Sequence, residues 1–202
     1  MKLFYSPGAC SLSPHIALRE ADIAFDLQKV STKTHELEGG GDFYAINPKG
    51  YVPLLQLDSG EYLTEGPAIV QYIADQKPAS GLAPACGTMG RYRVQEWLNF
   101  ITSELHKNFS PLFSPDTPAE YKESLKKKLS MRYEWIDKQL AGKPYLTGDT
   151  FTVADGYLFT VTNWTRPTHI DLSAMPDLQA FQARVAARPA VQAAMKAEGL
   201  IK

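Results

Sequence analysis

Residues 51–75 constrain the fold more than any other stretch, because they combine two short apolar runs, a tight turn and an abrupt helix start. The runs at 54–57 and 62–63 are joined through an Asp-Ser-Gly segment, which is typical of a β-hairpin. Gly66 can then cap a helix whose first position is Pro67. The stretch therefore predicts two antiparallel strands followed directly by a helix.

The same stretch predicts a place for a zwitterionic ligand. Pro53 cannot donate to a sheet, so we expect it at an edge or turn, with a cis bond as one form, and the backbone groups of Val52 left free for an extended ligand. The helix start predicts unpaired N–H groups at Gly66 and Ala68, which favour an anion such as a carboxylate. Glu65 beside them suits an ammonium, so an α-amino acid head group matches both charges.

The hairpin and helix complete an N-terminal α/β domain at residues 1–77. A strand at 2–6, a helix and a second strand at 25–30 precede them, and the order βαβ then ββα matches a thioredoxin-like domain. The segment 78–86 interrupts the apolar periodicity with prolines and glycines and is predicted to be a linker. Residues 87–202 are predicted to form an all-helical domain, which makes the fold class α/β plus all-α.

Two kinds of signal support the helical assignment of the second domain. A long helix at 91–108 is indicated by Val94, Leu98, Ile101 and Leu105, which recur on one side. Capping boxes that begin at Thr117 and Thr152 open two more helices, and Pro176 and Pro189 begin two short ones.

Composition and charge exclude several classes of function. The 202 residues carry a net charge of -1 with acidic and basic residues mixed, which gives no electrostatic case for a nucleic acid or a membrane surface. No apolar run reaches the ~18 residues of a membrane span, and the start has no signal-peptide pattern. Two cysteines are too few for a disulfide framework, so we expect a cytoplasmic protein with reduced thiols.

Cys10 is the first candidate for chemistry. It follows the first strand where the first helix begins, and the positive end of the helix dipole is expected to favour its thiolate. A lone cysteine is also commonly a small buried residue, but the strand, turn and helix around this one favour reactivity. Ser13 replaces the second cysteine of a Cys-x-x-Cys pair, so any disulfide exchange needs an external thiol. Cys86 is interpreted as inert.

A polar row on the long helix is the second candidate. Asn99, Ser103 and His106 are spaced i, i+4 and i+7, away from the apolar stripe, with Lys107 beside them. Such a row taken alone usually faces solvent. The four histidines show no metal-ligand spacing, so no metal site is predicted.

Three motifs together resemble the bacterial beta-class glutathione transferases over essentially the full length. They are Phe-Tyr-Ser-Pro-Gly-Ala-Cys-Ser-Leu at 4–12, Asn-Pro-Lys-Gly-Tyr-Val-Pro with Leu-Thr-Glu-Gly at 47–53 and 63–66, and Trp-Leu-Asn-Phe with Ser-Glu-Leu-His-Lys at 97–107. The resemblance implies a detoxification enzyme that binds glutathione as co-substrate and activates its thiol for attack on a small hydrophobic electrophile. It also implies a homodimer and no metal.

The resemblance assigns glutathione to the N-terminal domain. Its central peptide is expected to pair with Val52 ahead of a cis Pro53, and its γ-glutamyl head is expected to dock at Glu65 and Gly66. Cys10 is expected close to the glutathione sulfur.

The helical domain is expected to contribute Asn99, Ser103 and His106, with His106 near the sulfur or the second substrate. Lys107 is expected to reach a neighbouring subunit. The electrophile is expected in an apolar pocket lined by Tyr5, Phe109, Phe113 and Trp164.

Two positions depart from the family pattern. Gly66 stands where relatives commonly have serine, which leaves only backbone donors there. His35 stands where relatives often carry a lysine for the glycine carboxylate, with Lys33 two residues earlier, and the sequence leaves open which of the two makes this contact. His35 would do so best when protonated.

Two other functions remain open at this point. The first is thiol–disulfide exchange through a mixed disulfide of Cys10 with glutathione. The second is a non-catalytic binding protein of the same fold, since folds outlive functions.

Overall fold

A computed structural model describes every residue from Met1 to Lys202. The chain divides into two compact units, one of Met1–Ala83 with Arg188–Lys202 and one of Pro84–Ala187. The predicted fold class, an α/β domain followed by a helical domain, is confirmed. The predicted helical domain extends to residue 202, whereas Arg188–Lys202 groups with the first unit in the structure.

Nine α-helices accompany the strands: α1 (Leu12–Glu20), α2 (Gly66–Gln76), α3 (Met89–Phe100), α4 (Lys107–Phe113), α5 (Ala119–Leu140), α6 (Val153–Thr162), α7 (Thr165–Thr168), α8 (Pro176–Ala186) and α9 (Pro189–Ala197). None of them is long and apolar enough to cross a lipid bilayer.

The first unit is built on one sheet in the order β2-β1-β3-β4, with β1 (Lys2–Tyr5), β2 (Asp26–Lys29), β3 (Leu54–Gln56) and β4 (Tyr62–Thr64). Strand β1 pairs in parallel with β2 and antiparallel with β3, and β3 pairs antiparallel with β4. The central Leu3 faces Leu27 on one side and Leu55 on the other. The predicted βαβ and ββα orders are confirmed.

A buried apolar cluster connects the sheet to the loops that follow it. Its members are Phe4, Val30, Phe43, Val52 and Leu54. Because Val52 belongs to this cluster, burial of its side chain fixes the backbone that precedes β3. Helix α9 packs against α1, with Val191 and Ala194 fully buried.

The start of α2 differs in one detail from the prediction. Glu65 occupies the N-cap, Gly66 is the first helical residue and Pro67 follows it. Proline is tolerated there because the first N–H groups of a helix have no partner within the helix.

Helix α6 is the buried centre of the second unit, since all ten of its residues are buried. The predicted capping box is present: the Thr152 side chain and the Asp155 carboxylate each accept from the other's backbone. The capping box predicted to begin at Thr117 is wrong, because Pro118 is the N-cap of α5 and makes no side-chain capping hydrogen bond.

The predicted single helix at 91–108 is interrupted. Helix α3 ends at Phe100, a π-helical turn spans Ile101–His106, and α4 begins at Lys107. The apolar side is continuous through this change, since Val94, Leu98, Ile101 and Leu105 are all buried. The wider π turn alters the direction of the side chains that follow it, and such turns are frequent at functional sites.

Candidate functional site

The Cys10 side chain lies in the loop between β1 and α1. It immediately precedes the N-cap, Ser11, and its Sγ donates a hydrogen bond to the carbonyl oxygen of Val52 at 3.3 Å. Burial raises the pKa of the Cys10 thiol to about 12, against the lowering effect of the backbone N–H groups of Cys10 and Ser11. The effect of burial thus exceeds that of the helix start and favours the neutral, donating thiol over the thiolate that the sequence predicts.

Val52 presents its backbone next to this thiol. The Val52–Pro53 peptide bond is cis, as one form of the prediction had it. The Val52 carbonyl is not free, contrary to expectation, because it accepts from Cys10. A carbonyl oxygen has two lone pairs, so a second donor can still bind it.

The sharp entry into α2 places Glu65 and Gly66 together. Glu65 has φ 69° and ψ 111°, so the chain turns at this residue and the carboxylate stays exposed. The prediction of an unpaired Ala68 N–H is wrong, since this group donates to the Glu65 carbonyl at 3.0 Å. The Gly66 N–H has no acceptor within the chain and is the one donor that the helix start offers.

Lys49 also belongs to this group, and sequence reasoning missed it. Its Nζ donates to Glu65 Oε1 at 2.8 Å and to Thr64 Oγ1 at 3.0 Å. The Tyr51 hydroxyl lies 3.4 Å from the same Glu65 oxygen. The hydrogen bond to Glu65 raises the pKa of Lys49. Its place inside the 47–53 motif was the only sequence signal that could have identified it.

His35 is held in a fixed orientation in the loop after β2. Its Nδ1 is 2.6 Å from the Gly50 carbonyl oxygen, so Nδ1 carries the donated hydrogen. The ring packs on Tyr44, with 4.5 Å between centroids. Gly50 has φ 71°, which strains other residues, and a Cβ there would displace the Tyr44 ring from its place beside His35. Lys33, the other candidate, is exposed and makes no hydrogen bond within the chain.

A buried polar network supports the Cys10 loop from the end of the chain. Glu198 accepts from the Gly8 N–H at 2.9 Å and from His15 Nδ1 at 2.8 Å. Arg19 Nε donates to His15 Nε2 at 2.9 Å, which requires the neutral ring to carry its proton on Nδ1. The side chains of His15 and Glu198 are both 0% exposed. Nothing in the sequence connected positions 15 and 198.

In the second unit, His106 belongs to a directional hydrogen-bond chain. Its Nδ1 is 2.6 Å from the Tyr157 hydroxyl, which lies 3.3 Å from Thr102 Oγ1. Thr102 donates to the Leu98 carbonyl at 2.8 Å, so it accepts from Tyr157 and the tyrosine accepts from the histidine. This assignment puts the acceptor position of the neutral His106 ring on Nε2.

The other two members of the predicted polar row are exposed. Asn99 donates to the Gln95 carbonyl at 2.9 Å, and Ser103 donates to the Asn99 carbonyl at 3.0 Å. Their side chains follow the ordinary turns of their own helix, whereas His106 turns towards α6 at the end of the π segment.

The predicted electrophile pocket is only partly available. Tyr5 and Phe109 are core residues, 8% and 0% exposed, and do not line an open surface. Phe113 is 53% exposed, and Trp164 is half-buried with its ring 4.9 Å from that of His106 and 6.0 Å from that of Phe113. These two aromatic rings are the accessible apolar surface beside His106. No group of three or more His, Cys, Asp or Glu side chains could hold a metal ion.

Two family models match the chain. Residues 8–76 match the glutathione S-transferase N-terminal domain, and residues 100–189 match the glutathione S-transferase C-terminal domain. Glutathione S-transferase GstA of Escherichia coli O157:H7 is 48% identical over 200 residues, which cover 99% of this chain and 100% of that protein.

Solved structures agree along their whole length. A sphingomonad glutathione S-transferase complexed with glutathione is 52% identical, with a TM-score of 0.96 over 100% of both chains. The bacterial beta-class enzyme of Sphingomonas chungbukensis is also 52% identical, with a TM-score of 0.96 over 100% of both chains.

Proposed function

The chain belongs to the bacterial beta-class glutathione S-transferases, and we propose that it transfers glutathione to a small hydrophobic electrophile with Cys10 and His106 acting at the sulfur. The observation that carries the proposal is the alignment of the complete chain with a relative complexed with glutathione. The groups that a zwitterionic peptide requires lie together in the first unit of this chain.

We assign the binding of glutathione to the first unit. Val52 supplies a carbonyl oxygen for the central peptide, and Glu65 with Gly66 supplies an acceptor and a donor for the γ-glutamyl head. His35 is assigned to the glycine carboxylate rather than Lys33, because its ring is already oriented by Gly50. A side chain that is fixed in advance loses less entropy on binding.

Cys10 is proposed to act as a hydrogen-bond donor to the glutathione sulfur, with its single S–H turning from the Val52 carbonyl to that sulfur when glutathione binds. With a pKa of about 12, only on the order of one thiol in 10⁵ is ionised at pH 7. A neutral thiol stabilises a nearby thiolate by donation but is a poor nucleophile. This favours conjugation over disulfide exchange.

His106 is proposed to accept the glutathione proton or to orient the second substrate. The chain through Tyr157 and Thr102 leaves Nε2 as the acceptor, which is the form that a general base requires. Asn99 and Ser103, exposed on the same side of their helix, are assigned to contacts with glutathione. Phe113 and Trp164 are assigned to the electrophile.

The activity test compares single variants with glutathione and an aryl halide. We expect His106→Ala to lower kcat/KM about 10²-fold, as for loss of a general base, and Cys10→Ala to lower it about tenfold or less. His169→Asn is the matched control, because His169 is exposed and asparagine tolerates its positive φ.

Two results would contradict the proposal. If Cys10→Ala abolishes turnover and mass spectrometry finds a reducible glutathione adduct on Cys10 of the wild type, the chain is an oxidoreductase. If the wild type shows no turnover above background, the chain is a binding protein.

We also propose that the enzyme is a homodimer, with the second unit presenting part of the interface. Trp97, Phe100 and Trp135 form a ring cluster, with centroids 4.9–5.8 Å apart. Trp135 is 43% exposed and the adjacent Met131 is 59% exposed. An aromatic patch with methionine is typical of protein interfaces, and a second copy of the chain is the occupant that the family resemblance implies.

Sedimentation analysis tests this assembly. We expect a dimeric wild type and a shift towards monomer in Trp135→Lys, because a buried lysine at the interface is left unpaired. Ala183→Lys, on the exposed side of α8, is expected to remain dimeric. A monomeric wild type, or a Trp135→Lys variant that is as dimeric as the wild type, would contradict the proposal.

We propose a cytoplasmic location, because the two cysteines form no disulfide and are suited to a reducing compartment.

A further inference from the structure

The cation at position 49 is held beside the groups proposed for the γ-glutamyl head. Lys49 Nζ is fixed by Glu65 Oε1 and Thr64 Oγ1 and lies 6.0 Å from the centre of the Tyr51 ring. A lysine ammonium has three N–H groups, and these two hydrogen bonds use two of them. One N–H of Lys49 therefore remains available to a ligand.

The carboxylate of Glu65 binds the chain through only one of its two oxygens. Both Lys49 and Tyr51 bind Oε1 of Glu65, and Oε2 accepts no hydrogen bond from the chain. An incoming ammonium can bind Oε2 without displacing Lys49. The pair is 46% and 57% exposed, so a ligand can reach both members.

The carboxylate of an α-amino acid needs more donors than the helix start provides. Each carboxylate oxygen accepts up to two hydrogen bonds, but Ala68 already donates to Glu65 and Pro67 has no N–H. Only the Gly66 N–H remains, and glycine has no hydroxyl to add to it. A second donor must come from outside the helix.

The geometry points to Lys49 as this second donor: we infer that Lys49 binds the α-carboxylate of the γ-glutamyl group while Glu65 binds its ammonium. The assignment rests on the proposed function and deepens it. Three neighbouring groups, Oε2 of Glu65, Nζ of Lys49 and the N–H of Gly66, then complement a zwitterion in both charges. Lys49 sets specificity for ligands that retain the α-carboxylate.

The experiment uses two ligands and two variants of the full chain. The ligands are glutathione and its analogue 4-aminobutanoyl-cysteinyl-glycine, which lacks only the γ-glutamyl α-carboxylate. The variants are Lys49→Met and the control Lys77→Met, whose lysine pairs with Asp22 at the opposite end of α2 and is 44% exposed. Dissociation constants are measured by titration calorimetry, and melting temperatures verify folding.

We expect Lys49→Met to weaken glutathione binding about fivefold, as for loss of one partly exposed ion pair, and to leave the analogue unchanged. Lys49→Arg is expected to restore most of the affinity, and Lys77→Met to change neither ligand.

Unchanged glutathione binding in Lys49→Met would overturn the assignment. Tighter binding would overturn it as well, because it would mean that Lys49 only competes with the ammonium of glutathione for Glu65. Equal weakening of both ligands would also overturn it, because Lys49 would then act through the ammonium. If the wild type does not bind glutathione at all, both the proposed function and this assignment are wrong. If the wild type binds glutathione and Lys49→Met has the same dissociation constant, only the assignment is wrong.

Discussion

Replacing Glu198 by alanine is expected to lower the free energy of unfolding by about 3–5 kcal/mol, the range for losing two hydrogen bonds to a buried charged acceptor. The variant removes the acceptor of the buried His15 Nδ1 and the hydrogen bond that joins the half-buried Gly8 N–H to Glu198. In a chain of this length, that loss corresponds to a melting temperature about 10 °C lower. Thermal unfolding by circular dichroism measures the change.

The control is Lys196→Ala, which changes an exposed residue on the same helix and is expected to melt like the wild type. A second readout separates a local effect from a general one. In a Cys86→Ser background, the Cys10 thiol of Glu198→Ala is expected to react faster with a disulfide reagent, because Gly8 no longer anchors its loop. A melting temperature within 2 °C of the wild type would show that the network does not stabilise the first unit.

The second large effect concerns Asp155, whose carboxylate is fully buried at the start of α6. Burial raises its pKa from the ordinary 3.8 to about 6, despite hydrogen bonds from Leu146 and Thr152. Between these two values the folded state binds more protons than the unfolded state. Stability contributed by this group is therefore complete below pH 4 and falls as the pH rises to about 6, by about 3 kcal/mol in total.

Urea unfolding of the wild type and Asp155→Asn at several pH values from 4 to 7 measures this contribution. The asparagine variant cannot titrate, so the stability difference between the two proteins is expected to be about 2 kcal/mol larger at pH 4 than at pH 7, and the rest of the total appears only below pH 4. Asp149→Asn changes an exposed neighbour and is expected to parallel the wild type at every pH. A difference that grows with rising pH would mean that the Asp155 pKa is lowered, which would contradict the prediction.

The elements of the first unit could be predicted because their signals are local. The Asp-Ser-Gly turn between apolar runs and the Gly66-Pro67 pair each depend on the φ/ψ preferences of a few adjacent residues. The capping box at Thr152 was predictable for the same reason. The capping box at Thr117 was predicted wrongly. A capping pattern indicates which residues are able to cap a helix, but it does not fix the residue at which the helix begins.

The π turn shows where periodicity fails. The apolar stripe at 94, 98, 101 and 105 is compatible with one continuous helix, and the sequence contains no residue that demands an insertion. At the end of the turn, His106 contacts Tyr157, 51 positions away in the sequence, which the periodicity of one helix does not predict. Side-chain direction after such a turn follows from packing and cannot be read from spacing.

The protonation state of Cys10 is the clearest case of the same limit. Its position before a helix predicted a thiolate, since a dipole acts through the backbone that the sequence defines. Burial beside the Val52 carbonyl, 42 residues away in sequence, has the larger and opposite effect on the pKa.

The sequence by itself determined the order of strands and helices and the family, because these follow from short-range preferences and motifs. Tertiary structure alone decided that the last fifteen residues pack on the first unit, that Glu198 anchors the Cys10 loop and that Lys49 lies beside Glu65. Each of these depends on a contact between distant segments, and such contacts arise only when burial and hydrogen bonding are satisfied for the whole chain at once.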